Sequence, residues 1–283
     1  MVSILLAVAA SVSWGFSDFL GGLTSRRLSL LSVLLISQSV GLVMVLPAVL
    51  MSDQAPVDGP ARLSAIGGSL AGLVGIAALY RAIAIGVVSI AAPISATGAV
   101  IPVAVGALRG ETTSGWQEIG MVLAILGVVL AAWTAGDPMH TSATSHQRRA
   151  GTGFALLAAA GFGGFFVLLH DASTYSVVWA TFVQRLTSVS VLLVASLIVR
   201  PSLAVGWRRT PQLLAIGVLD QGANLLYGFA STVGLVSLAA VLASLFPVVT
   251  VVLARAILHE RLSRTQQTGV ACALAGVALI AGG

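Results

Sequence analysis

The chain has 283 residues, 58% of them hydrophobic and 8% charged, and its mean hydropathy is +1.04. A soluble domain carries about 25% charged residues, so this chain cannot cover a water-facing surface, and the bilayer is its natural solvent. Its 14 basic residues are all arginines that fall mostly between apolar runs, a pattern that argues for topology control by positive charge and against nucleic-acid binding.

Apolar runs fall at 4–23, 30–51, 63–85, 87–108, 117–135, 152–170, 177–199, 212–233, 235–257 and 267–282. A spanning helix needs about 20 mostly apolar residues, so the expectation is an all-α polytopic membrane protein with ten transmembrane helices. Continuous apolar runs exclude the short alternating strands of a membrane barrel. The first run follows "MVSI", which lacks the basic start of a signal peptide, so it reads as a permanent span. Only "AIGVVS" separates the third run from the fourth, and only "TVGLVS" separates the eighth from the ninth. Pro93 and Pro102 in the fourth run and Pro247 in the ninth each remove a backbone hydrogen bond. Kinks there either shape a cavity or hinge, or serve packing alone.

The polar stretch "GDPMHTSATSHQRRAG" divides the chain almost in half. The halves repeat one another, which sets the domains at 1–135 and 151–283 with a linker at 136–150. "GVVSIAA" from Gly86 returns as "GLVSLAA" from Gly234, a shift of 148. Glu111, Ser114, Gln117, Gly120 and Gly127 return as Glu260, Ser263, Gln266, Gly269 and Gly276. Five spans per repeat is an odd number, so the second half enters the membrane from the opposite side. Two inverted five-helix repeats follow, the architecture in which secondary transporters place a site near the midplane.

The duplicated Glu-x-x-Ser-x-x-Gln reads as structure. Ser114 and Ser263 fit N-caps with Gln117 and Gln266 at the third helical position, a capping box, and Glu111 and Glu260 lie just upstream. Polar groups at membrane depth are costly and mark sites. Ser11, Trp14 and Asp18 share one face of the first helix, and Asp220, Asn224 and Tyr227 share one face of the eighth. Tyr80 holds in the first repeat the place Tyr227 has in the second. Arg185 is the only arginine near the centre of a span. These residues form the candidate set for substrate or proton binding, with a carboxylate as proton carrier. The competing reading is a static ion pair between Arg185 and either aspartate, or Asp18 near the interface. His140, His146, His170 and His259 lack metal-site spacing, Cys272 is alone, and no nucleophile or phosphate-loop motif is present. No metal, cofactor or catalytic residue is therefore expected.

"WGFSDF", the Gly-Ser starts of the fourth and ninth helices, and the segments "GETTSGWQEIGMVLAILGVVL" and "HERLSRTQQTGVACALAGVAL" resemble the EamA-type transporters of the drug/metabolite transporter superfamily. The resemblance covers nearly the whole chain. It implies a multi-pass protein of the cytoplasmic membrane, a monomer or homodimer, that moves a small metabolite or drug-like solute by alternating access, with proton-coupled export expected. A non-transporting membrane subunit and an intramembrane enzyme are the alternatives. The chain departs from the pattern at Asp18, where many relatives have an amide or small residue. The resemblance also implies cytoplasmic termini, which is the orientation adopted here. The loop arginines oppose it: Arg26, Arg27, Arg148, Arg149, Arg200, Arg208, Arg209, Arg261 and Arg264 lie opposite the termini, and only Arg62 and Arg109 beside them.

Overall fold

The structure is a computed structural model that describes residues 1–84, 88–133, 145–202, 206, 209–259 and 261–283. Its helices in chain order are α1 (Val2–Ser25), α2 (Leu30–Leu50), α3 (Gly59–Ala84), α4 (Val88–Ala96), α5 (Val100–Leu108) and α6 (Gly115–Ala132). Then follow α7 (Ser145–Ser173), α8 (Val177–Val199), α9 (Thr210–Thr232), α10 (Val236–Ala243), α11 (Phe246–Ile257) and α12 (Arg264–Gly282). No strand occurs among the described residues. Ten segments are long and apolar enough to cross a membrane; α4 and α5 share the fourth, and α10 and α11 the ninth. Glu260 and His140 lie outside the described residues.

Both two-piece spans break just before a proline. A 3-10 turn at Thr97–Ala99 precedes Pro102, whose ring nitrogen cannot donate to the Gly98 carbonyl. Ser244 and Leu245 form the turn between α10 and α11, and Pro247 likewise leaves the Ala243 carbonyl without its helical donor. The interruptions thus occupy the same span of each half.

Helix pairing follows the repeat. The α3–α7 contact has its counterpart in α1–α9, and α2 packs on α8 and α6 on α12, each against its own equivalent. The glycines that returned in the sequence explain the last pair. A Cβ on Gly120 would lie 2.9 Å from the Gly276 carbonyl oxygen, and one on Gly127 would lie 2.7 Å from that of Gly269. The crossing is antiparallel and reciprocal, early glycine on late glycine, as an axis in the membrane plane requires. Small residues let the two backbones approach where lipid provides no hydrophobic drive.

The loops join the halves. Capping boxes start α6, through Ser114 and Gln117, and α12, through Ser263 and Gln266. Glu111 caps a different helix from the one it precedes. Its carboxylate accepts from Val236 N at 2.5 Å and Ser237 N at 3.1 Å, at the start of α10, where the helix dipole favours an anion. Beside it, Arg109 donates twice to Asp171, at 2.6 and 2.9 Å. That hydrogen bonding raises the already high pKa of the guanidinium.

Charge is segregated between the two ends of the bundle. Asp53, Asp58, Glu111, Glu118 and Asp171 lie at the end that carries the termini, with Arg62 and Arg109. The opposite end carries Arg26, Arg27, Arg81, Arg149, Arg200, Arg209, Arg255, Arg261 and Arg264, and no carboxylate among the described residues.

Candidate substrate and proton site

The site begins with Arg185. Thr181, Gln184, Arg185 and Ser188 recur at helical spacing on α8 and are all buried, so this face of α8 is polar and turned inward. The Arg185 side chain is 4% exposed, and its Nη1 lies 2.7 Å from Asp220 Oδ2 on α9. The same nitrogen donates to Gln38 Oε1 on α2, and Arg185 Nε donates to Gln221 Oε1 at 2.5 Å. Gln38 Nε2 and Trp14 Nε1 each donate to Asp220, at 3.1 Å to Oδ2 and Oδ1 respectively. One guanidinium and one carboxylate thereby tie α1, α2, α8 and α9 together. The static pair weighed from the sequence exists, and its acid is Asp220. Gly41 makes room for it, since a Cβ there would lie 3.3 Å from Arg185 Nε.

Asp18 is in a different state. It lies one turn beyond Trp14 on the inward face of α1, yet it is exposed. No hydrogen bond or ion pair engages it among the described residues. Asp18 stands seven residues before the end of α1, or about 10 Å at a rise of ~1.5 Å per residue. At that depth Asp18 is exposed although its neighbours Ser17 and Phe19 are buried. Tyr80, near the end of α3 at the same end of the bundle, is 43% exposed.

The remaining candidates are placed deeper. Trp14 is 8% exposed, and its indole meets Phe165, Phe166, Tyr227 and Phe246 in mostly edge-on contacts. Tyr227 is fully buried and donates its hydroxyl to the Phe166 carbonyl at 2.8 Å, so it supports the Trp14 wall from behind. Asn224 donates to the Asp220 carbonyl, and its Oδ1 is buried without a partner among the described residues, as are Arg185 Nη2 and Gln221 Nε2. Such atoms are costly in an apolar interior, so the heart of the bundle retains unspent hydrogen-bonding capacity. The described residues hold no cluster of three metal-ligating side chains.

Gln38 and Gln221 are not among the residues the sequence singles out, because charge outweighs amides in that reading. The signal was available: Gln38 is the only amide in its span, and Gln221 adjoins Asp220.

The model of the EamA-like transporter family matches residues 1–133 and again 149–282. No curated protein matches. Among solved structures, one described only as the crystal structure of a protein has a TM-score of 0.81 at 17% identity, covering 98% of this chain and 95% of that one. At that identity the likeness speaks for the fold alone. Two family matches, one on each five-span half, leave little of the sequence outside them. The chain belongs to the EamA-like transporter family, within the drug/metabolite transporter superfamily.

Proposed function

We propose that this membrane transporter of the drug/metabolite type moves a small solute across the cytoplasmic membrane by alternating access, and that Asp18 carries the coupling proton during export. The observation that carries the reading is the contrast between two neighbouring carboxylates. Asp220 is committed to Arg185, Gln38 and Trp14, whereas Asp18 has no hydrogen-bond or ion-pair partner among the described residues and is exposed. With Arg185 and Asp220 neutralising each other, Asp18 leaves the site one negative charge. A proton or the cationic centre of a solute can neutralise it, and competition between the two couples their movements. Tyr80 and Trp14 supply aromatic surface for the cargo, and Asn224 and Gln221 supply hydrogen bonds. The split spans α4/α5 and α10/α11 supply paired points of flexion between residues 1–135 and 151–283, the two rocking units.

The test is solute flux in proteoliposomes under an imposed pH gradient. Asp18→Asn is expected to abolish gradient-driven flux while leaving downhill exchange. Gradient-driven flux unchanged in that variant overturns the assignment of Asp18.

A further inference from the structure

A concavity lies at the arginine-rich end, on the side of α1 turned away from Asp18. It encloses about 590 Å³ and is lined by Leu23, Thr24, Arg26, Arg27, Arg209 and Gln212. Leu23 and Thr24 follow Asp18 by five and six residues, which places them about 140° and 240° round the helix. The pocket is therefore separate from the site described above.

Its construction is layered. Beneath it, Val33, Leu213 and Ile216 form a buried apolar cluster with Leu20, Leu28 and Ile36, where α1, α2 and α9 meet. Its rim is basic. Arg26, Arg27 and Arg209 make no ion pair among the described residues, and no described carboxylate lies at this end of the bundle. The first turn of α9, which opens at Thr210 with Pro211 following, adds the positive end of a helix dipole. Three unpaired arginines concentrated in a cavity generate a potential that an anion relieves, and guanidinium groups match phosphate oxygens with paired donors. The cavity sits where spanning helices begin and end, at the level of lipid phosphates, with apolar surface directly inward of it.

We propose that this pocket seats the headgroup of an anionic phospholipid, its phosphate among Arg26, Arg27 and Arg209 and its first methylenes against Leu23. The bound lipid would bridge α1 and α9, the helices that carry Asp18 and Asp220.

Thermal unfolding of the full chain in neutral detergent tests this, with phosphatidylglycerol, phosphatidylcholine of the same chains, or inorganic phosphate added. Phosphatidylglycerol is expected to raise the unfolding midpoint by about 3–5 °C, since a ligand of the folded state stabilises it, and the other two additions are not. The Arg26→Gln, Arg27→Gln, Arg209→Gln triple variant should lose the shift. A control pair outside the pocket, Arg261→Gln with Arg264→Gln, should keep it. The corresponding triple Arg→Lys variant retains the charge and should keep most of the shift, which separates lost binding from lost folding. A control pair that loses as much as the triple variant overturns the pocket in favour of a diffuse basic surface. An equal shift from inorganic phosphate overturns the lipid as its ligand, and an equal shift from phosphatidylcholine overturns the role of the anion.

Discussion

Asp18 and Asp220 are chemically identical, one helix apart, and predicted to respond oppositely to the same substitution. Asp220→Asn removes the only ion-pair partner, among the described residues, of a guanidinium that is 4% exposed. Breaking a buried pair by deleting one member costs ~3–5 kcal/mol, because the charge left behind stays desolvated. Asp220 itself is 21% exposed, and Gln38 still accepts from Arg185, so about 2–4 kcal/mol is the appropriate range. In a chain of this size each kcal/mol moves the midpoint by roughly 2–4 °C, giving a fall of about 4–16 °C. Asp18→Asn has no hydrogen bond or ion pair to lose among the described residues and should stay within about 0.5 kcal/mol of the parent.

The assay is thermal unfolding of purified protein in one detergent, followed by intrinsic fluorescence. A double variant sharpens it. Adding Arg185→Gln to Asp220→Asn removes the orphaned charge, so the combined loss should fall short of the sum of the single losses by about 1–3 kcal/mol. Strict additivity, or an Asp18→Asn variant that unfolds as early as Asp220→Asn, would refute the division of labour between the two acids.

Glu111→Gln should lower the midpoint by an amount equivalent to about 1–2 kcal/mol, and hydrogen exchange should accelerate at the Val236 and Ser237 amides first; unchanged exchange there would mean the carboxylate does not cap α10. Gly276→Ala should destabilise by about 1–3 kcal/mol, because its Cβ would stand 2.7 Å from the Gly120 carbonyl oxygen; an unaffected midpoint would show that α6 and α12 are not in close contact. The arginines at the end opposite the termini favour termini outside the cell, against the orientation the resemblance implies. With the cytoplasmic termini adopted above, a fluorescent cytoplasmic reporter fused after Gly283 should be bright, and an active periplasmic phosphatase at the same position would reverse the orientation.

Much of this architecture was legible because membrane solvent imposes a simple rule on sequence. Ten apolar runs gave ten spans, with boundaries off by a few residues where polar helix ends such as Arg264 and Thr210 extend beyond the oil. The Ser-x-x-Gln spacing carries its own geometry, since both hydrogen bonds of a capping box are local. What sequence cannot supply is the partner of a side chain whose contact lies far along the chain. Glu111 reads as an acid upstream of α6, yet its acceptor oxygens serve α10, 125 residues away. Asp18 and Asp220 likewise read as equivalent until the positions of Arg185, Gln38 and Trp14 separate them.

The site also breaks the symmetry that the scaffold keeps, and the two equivalent interfaces show how. Ser13 of α1 donates to the Leu219 carbonyl of α9 at 2.7 Å. At the matching place in the other pair, Gly161 of α7 packs against the Ala71 carbonyl of α3. The repeat shift of 148 pairs Asp18 with Phe166. Phe165 packs over Gly72, where a Cβ would lie 3.2 Å from its ring, so this interface is closed with glycine and aromatic surface. The α1–α9 interface instead holds Trp14 hydrogen-bonded to Asp220, and Asp18 without a hydrogen-bond or ion-pair partner among the described residues. One packing plan therefore serves twice, as a sealed joint in one half-interface and as a charged, hydrogen-bonding wall in the other. Duplicated residues such as Ser114, Ser263, Gly120 and Gly269 report the plan. The residues with no counterpart report where the chemistry was added to it.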